Sequence, residues 1–84
     1  MKRFSSVRIY EFIITVPISW NWCPSDLMYQ YAKTNAEIYF ERDRFFNSTL
    51  VIEGIRFYFD HYAIKDNGDG TESVTVTLKR KGDI

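Results

Sequence analysis

The sequence predicts one α+β domain over residues 1–84, built in the order β-α-β-β as a three-stranded mixed sheet with one long helix packed on one face. Three observations predict it. Apolar residues alternate every second position from Arg8 to Trp22, they recur at three, four and seven residues from about 25 to 46, and Asp66-Asn67-Gly68-Asp69-Gly70 separates two further alternating runs.

The first alternation puts Tyr10, Phe12, Ile14, Val16 and Ile18 on one side and Ile9, Glu11, Ile13 and Thr15 on the other, which reads as a strand from Ser6 to Ser19 with the even positions inward. Pro17 has no backbone donor for a ladder, so the far end of this strand is an edge or an exit.

Cys23-Pro24-Ser25-Asp26 reads as a helix start, with Ser25 as cap and Asp26 in the first turn where a carboxylate suits the helix dipole. Leu27, Met28, Tyr31, Ala32, Ile38, Tyr39, Phe45 and Phe46 then mark the buried stripe of a helix from about 25 to 46. The alternative for 36–46 is that the helix stops at Thr34-Asn35 and a strand begins with Ile38, Tyr39 and Phe40.

Thr49 to Lys65 is rich in β-branched and aromatic residues and reads as the second strand, with a bulge or bend at Gly54. Its odd phase, Val51, Ile55, Phe57, Phe59 and Ala63, faces the helix, and with it His61; its even phase carries Arg56, Tyr58, Asp60 and Tyr62. The turn at 66–70 supplies the positive φ that a tight hairpin needs, and Glu72 to Arg80 returns with Val74, Val76 and Leu78 inward. Strands one and two are expected to run parallel through a right-handed crossover, with the third antiparallel to the second.

Composition narrows the function. Hydrophobic residues make up 45% of the chain and aromatic residues 18%, enough to build a core without metals or disulfides. A single cysteine allows no internal disulfide, and no charged-then-apolar leader is recognisable, so a cytoplasmic location is expected. Polar residues interrupt the apolar stretch from Tyr10 to Trp22, so no membrane span is expected. Eleven basic and eleven acidic residues cancel, which argues against a polyanion binder by total charge.

The open sheet face is the first candidate for contact with a partner: Arg56, Tyr58, Asp60 and Tyr62 beside Thr75, Thr77 and Lys79, with Tyr and Arg the residue types that most often carry interface energy. The ordinary reading of these residues is an amphipathic outer face stabilised by cross-strand pairs. A basic end of Lys2, Arg3, Arg8, Arg80 and Lys81, next to Lys79, is the candidate for phosphate contacts and single-stranded nucleic acid, although no RNP-like run accompanies it. Exposed strand edges or the open face offer a route to a homodimer.

Cys23 and His61 are the one nucleophile-and-base pair to weigh, as a small Cys/His-dependent enzyme, but no orienting carboxylate is assigned to them. A calcium loop over 65–76 fails because Lys65 and Val76 stand where the first and last acidic ligands belong. Asn47-Ser48-Thr49 matches a glycosylation pattern that has no secretory context here. No metal or cofactor motif is present in the sequence, so neither is expected. The expectation is a non-enzymatic protein-binding module that blocks or modulates a larger assembly, in the general style of small phage-encoded inhibitors, including anti-defence proteins, by analogy of class.

Overall fold

The computed structural model describes residues 8–80. Six elements follow one another: β1 (Ile9–Pro17), α1 (Pro24–Lys33), β2 (Ile38–Arg42), β3 (Ser48–Ile52), β4 (Ile55–Asp66) and β5 (Thr71–Arg80). The strands form one antiparallel sheet in the order β1-β5-β4-β3-β2. The sheet curls into a half-barrel with α1 on its concave side. This overturns the expected three-stranded mixed sheet with one long helix. β2 to β5 are consecutive hairpins and β1 pairs with the far side of β5, so α1 carries the chain from one edge of the sheet to the other. β1 and β2 point the same way but never meet, and the expected parallel pair does not form.

α1 is ten residues long, not twenty-two. Its cap is Cys23 rather than Ser25: the Cys23 backbone N–H donates to Asp26 Oδ2 at 2.8 Å, and the Asp26 N–H returns to the Cys23 carbonyl at 2.8 Å. The helix stops where Thr34 and Asn35 compete for its last carbonyls. Thr34 Oγ1 donates to the Tyr31 carbonyl at 2.9 Å, and the Asn35 N–H goes to Ala32 at 3.1 Å. Beyond it, the residues that fitted a helical stripe form β2 instead. Ile38 and Phe40 lie opposite Ile52 and Leu50 on the concave side, a period of two that seals Ile38, Leu50 and Ile52 together.

The long second strand is likewise two strands. Gly54 is not a bulge but half of a two-residue hairpin turn, with Glu53 at φ 55° and Gly54 at φ 81° between paired Ile52 and Ile55. This is the left-handed pair that a tight hairpin of this twist requires. The bulge lies further on, where Phe59 pairs with Leu78 but His61 pairs with Thr77, leaving Asp60 as the extra residue. From that point the inward phase of β4 switches from odd to even. Tyr62 stands opposite the fully buried Val76 and Ile64 opposite the fully buried Val74, while His61 turns outward.

The 66–71 hairpin forms as expected. Gly68 and Gly70 take φ of 81° and 91°, and the Asp66 and Asp69 carboxylates accept the N–H groups of Gly68 at 2.8 Å and Thr71 at 3.0 Å. The core comprises Phe12 and Val16, Leu27 and Met28, Ile38, Leu50 and Ile52, Phe57, and Val74, Val76 and Leu78. Ile18, expected inward, lies past the end of β1 and is exposed. The Tyr31 ring stacks on Phe12 at 4.1 Å and 7°, tying α1 to the edge strand β1. Among the described residues no helix is long and apolar enough to cross a membrane.

Candidate contact surfaces

The convex face of the sheet holds most of the residues expected there. Pairing sets Tyr58 between Thr49 and Lys79, and Thr75 between Ile13 and Ala63. Thr77, nearly buried, donates from Oγ1 to Glu11 Oε2 at 3.3 Å. Two ion pairs occupy charged residues of this face. Arg56 Nη2 meets Glu41 Oε1 at 2.6 Å, and Lys79 Nζ meets Asp60 Oδ1 at 3.1 Å. The bulge gives Asp60 its second partner, His61 Nδ1, at 2.7 Å from Oδ2. The hydrogen bond from His61, followed by that from Lys79, holds the Asp60 carboxyl below the usual range.

Tyr62 leaves this group. The same bulge turns it to the concave side, where its ring meets Trp22 edge-on at 5.0 Å and 74° while it remains 43% exposed. Trp22 is itself anchored through Nε1 to Glu72 Oε2 at 3.0 Å. Tyr58 and Tyr62 therefore lie on opposite faces, and the expected contact face is split.

Of the expected phosphate-binding residues, Lys2, Arg3 and Lys81 lie outside the described residues. Arg8 and Arg80 are brought together by pairing, with the Arg80 N–H donating to the Arg8 carbonyl at 3.1 Å. Arg80, Lys79, Tyr58 and Asn47 line a shallow groove of about 300 Å³.

Cys23 and His61 are not brought together. His61 lies on the convex face, correcting its expected inward phase, and Cys23 begins the helix that fills the concave side. The Cys23 thiol donates to Asp26 Oδ2 at 3.3 Å, a cap interaction. Among the described residues no three His, Cys, Asp or Glu side chains gather as a metal site.

One feature went unread in the sequence. Phe45 and Phe46, whose spacing fits a buried helical stripe, form the tip of the β2–β3 hairpin and are 73% and 79% exposed. Asp43 holds the tip: Oδ1 accepts the N–H groups of Phe45 at 2.8 Å and Asn47 at 2.9 Å, and Oδ2 accepts Asn47 Nδ2 at 3.0 Å. The Phe46 N–H bonds the Asp43 carbonyl at 2.9 Å. Phe46 sits at φ 65°, a conformation that bulky side chains avoid. The Arg44 guanidinium lies 5.8 Å from the Phe45 ring, and that of Arg42 lies 5.6 Å from Phe40. The available signal was Asp43 four residues before Asn47 with two adjacent aromatics between them, which no single strand face can bury together.

Comparison with protein-family models, curated proteins and solved structures returns no match.

Proposed function

We propose that the protein acts by contact, as a non-enzymatic protein-binding module that blocks or modulates a larger assembly, with Phe45 and Phe46 as its anchor. The observation that carries this reading is the pair of phenylalanines displayed on a loop whose backbone is hydrogen-bonded into place. Burying a Phe side chain in a partner gains roughly 1.5–3 kcal/mol. Holding Phe46 in the left-handed region costs of order 1–3 kcal/mol. A fold that bears that cost to present an apolar side chain to water gains nothing within the monomer, whereas a preformed anchor lowers the ordering cost of docking.

Arg42 and Arg44 flank the tip, so the complementary surface is an apolar cleft with carboxylates on its rim. The mode of action is occlusion of that cleft against its usual occupant. The single-stranded nucleic-acid alternative has the groove of Tyr58, Lys79 and Arg80 in its favour. Against it, Arg56 and Lys79 already face Glu41 and Asp60, and a phosphate would have to displace those carboxylates.

Affinity capture from a lysate of the source cells, comparing wild type with Phe45→Ser/Phe46→Ser, tests the reading. The expected result is a protein retained by wild type and lost by the double variant, with the circular dichroism spectrum unchanged. Equal retention by both, or retention of oligonucleotides that falls steeply with salt, would refute it.

A further inference from the structure

We infer that the free edge of β1 is a homodimer interface, in which two copies join their sheets through antiparallel β1–β1 pairing centred on Ile13. This rests on β1 alone and not on the anchor at the β2–β3 tip. β1 is a terminal strand of the sheet. The Arg80 N–H bonds the Arg8 carbonyl and the Ile18 N–H bonds the Gly70 carbonyl, so the even residues of β1 point their backbone groups at β5. The odd residues Ile9, Glu11, Ile13 and Thr15 consequently aim N–H and C=O away from the sheet, where they meet no backbone partner among the described residues. Pro17 has the same outward phase, so its missing N–H removes a donor from the free edge and none from the existing ladder.

A two-fold axis through Ile13 makes this edge complementary to itself. Ile13 is the midpoint of Ile9–Pro17, so all nine residues overlap. Outward groups then face outward groups, and about eight inter-chain backbone hydrogen bonds form. On the convex face Ile13, 65% exposed, packs on its own copy, and Ile9, 51% exposed, packs on Pro17. On the concave face Phe12 faces Ile14 and Tyr10 faces Val16, extending the apolar layer across the join.

Charge disfavours a neighbouring register. Glu11 lies opposite Thr15, whereas an axis through Glu11 would set two carboxylates face to face. Glu11 is also drawn back over β5 by Thr77 Oγ1, so it does not project across the edge as a blocking charge. The arrangement is isologous and closed, a dimer rather than a fibre.

Light scattering coupled to size exclusion on the full chain reads the mass, from micromolar to millimolar protein. The expected wild-type mass is twice the 10.0 kDa of one chain, and Ile13→Lys should return it to one chain with the same circular dichroism spectrum. Register is read in a Cys23→Ser background. Ile13→Cys should cross-link to its own copy on mild oxidation, since directly opposed residues of a hydrogen-bonded pair lie about 5.5 Å apart, within disulfide reach. Thr15→Cys, which faces Glu11 instead, should not. A wild-type protein monomeric throughout overturns the inference. So does a dimer that survives Ile13→Lys, one lost instead in Phe45→Ser/Phe46→Ser, or one cross-linked through Thr15→Cys and not Ile13→Cys.

Discussion

The hydroxyls of Tyr10 and Tyr31 lie 2.8 Å apart, joining the edge strand β1 to the last turn of α1. Burial, with the Tyr31 hydrogen bond as the next cause, pushes the Tyr10 phenol up from 10.0 to about 12. The folded state thus favours the neutral phenol. Its contribution is complete below pH 10 and is lost as the pH rises toward 12, and allowing for partial exposure it amounts to at most about 2 kcal/mol. Ultraviolet titration should find Tyr10 ionising well above 10.0, and Tyr31→Phe should lower that midpoint. A Tyr10 midpoint near 10 would show the contact to be absent in solution.

Asp60 should titrate below 3.8 because the charged carboxylate is favoured by His61 first and Lys79 second. The stability it adds is present above that ordinary value and is lost as the pH falls through its lowered midpoint. Carbon-detected NMR titration should show His61→Ala raising the midpoint more than Lys79→Met does. The reverse order would mean that the bulge does not hold the imidazole as described.

Phe46→Gly should stabilise the fold by about 1 kcal/mol, because glycine adopts a φ of 65° without a Cβ penalty. The same change removes half of the proposed anchor, so chemical denaturation and partner affinity should move in opposite directions. A destabilised Phe46→Gly protein would mean that the ring packs on the monomer rather than waiting for a partner.

Glu53→Asn should also stabilise, by about 0.5–1 kcal/mol, since Asn-Gly is the favoured pair in a two-residue turn with both residues at positive φ. Gly54→Ala, at φ 81°, should cost a similar amount or more. Thermal melts of the two variants check both signs. Equal melting temperatures would argue against the hairpin at 53–54.

Several features were legible because they are local. The even phase of β1 survives in Phe12 and Val16, the inward phase of β5 in Val74, Val76 and Leu78, and the 66–71 turn in its glycines and aspartates. The helix start near residue 25 was visible, but the choice between its two candidate ends was not: the expected run to 46 fails, and the alternative stop at Thr34-Asn35 with a strand from Ile38 is what forms. Ile38, Tyr39, Phe45 and Phe46 suit a helical stripe by spacing, and only pairing with β3 shows that two of them tip a hairpin. The contact surfaces followed suit: alternation puts Arg56, Tyr58, Asp60 and Tyr62 on one face with Thr75, Thr77 and Lys79, but the bulge moves Tyr62 to the other face, and alternation says nothing of the Phe45–Phe46 tip.

By itself the sequence determined the chemistry of the 66–71 turn and the side-chain phase of β1 and β5, because both depend on neighbours a few residues away; in β3 the expected inward Val51 lies opposite Arg56, and Leu50 and Ile52 face the core instead. The tertiary structure decided the phase of β4. The turn at Glu53-Gly54 places Ile55 and Phe57 opposite Ile52 and Leu50 and so demands that odd residues face inward. The turn at 67–70 places Tyr62 and Ile64 opposite Val76 and Val74 and so demands even ones. One strand cannot satisfy both with a period of two, so it takes up one extra residue, Asp60, and that residue sends Tyr58 and Tyr62 to opposite sides of the sheet.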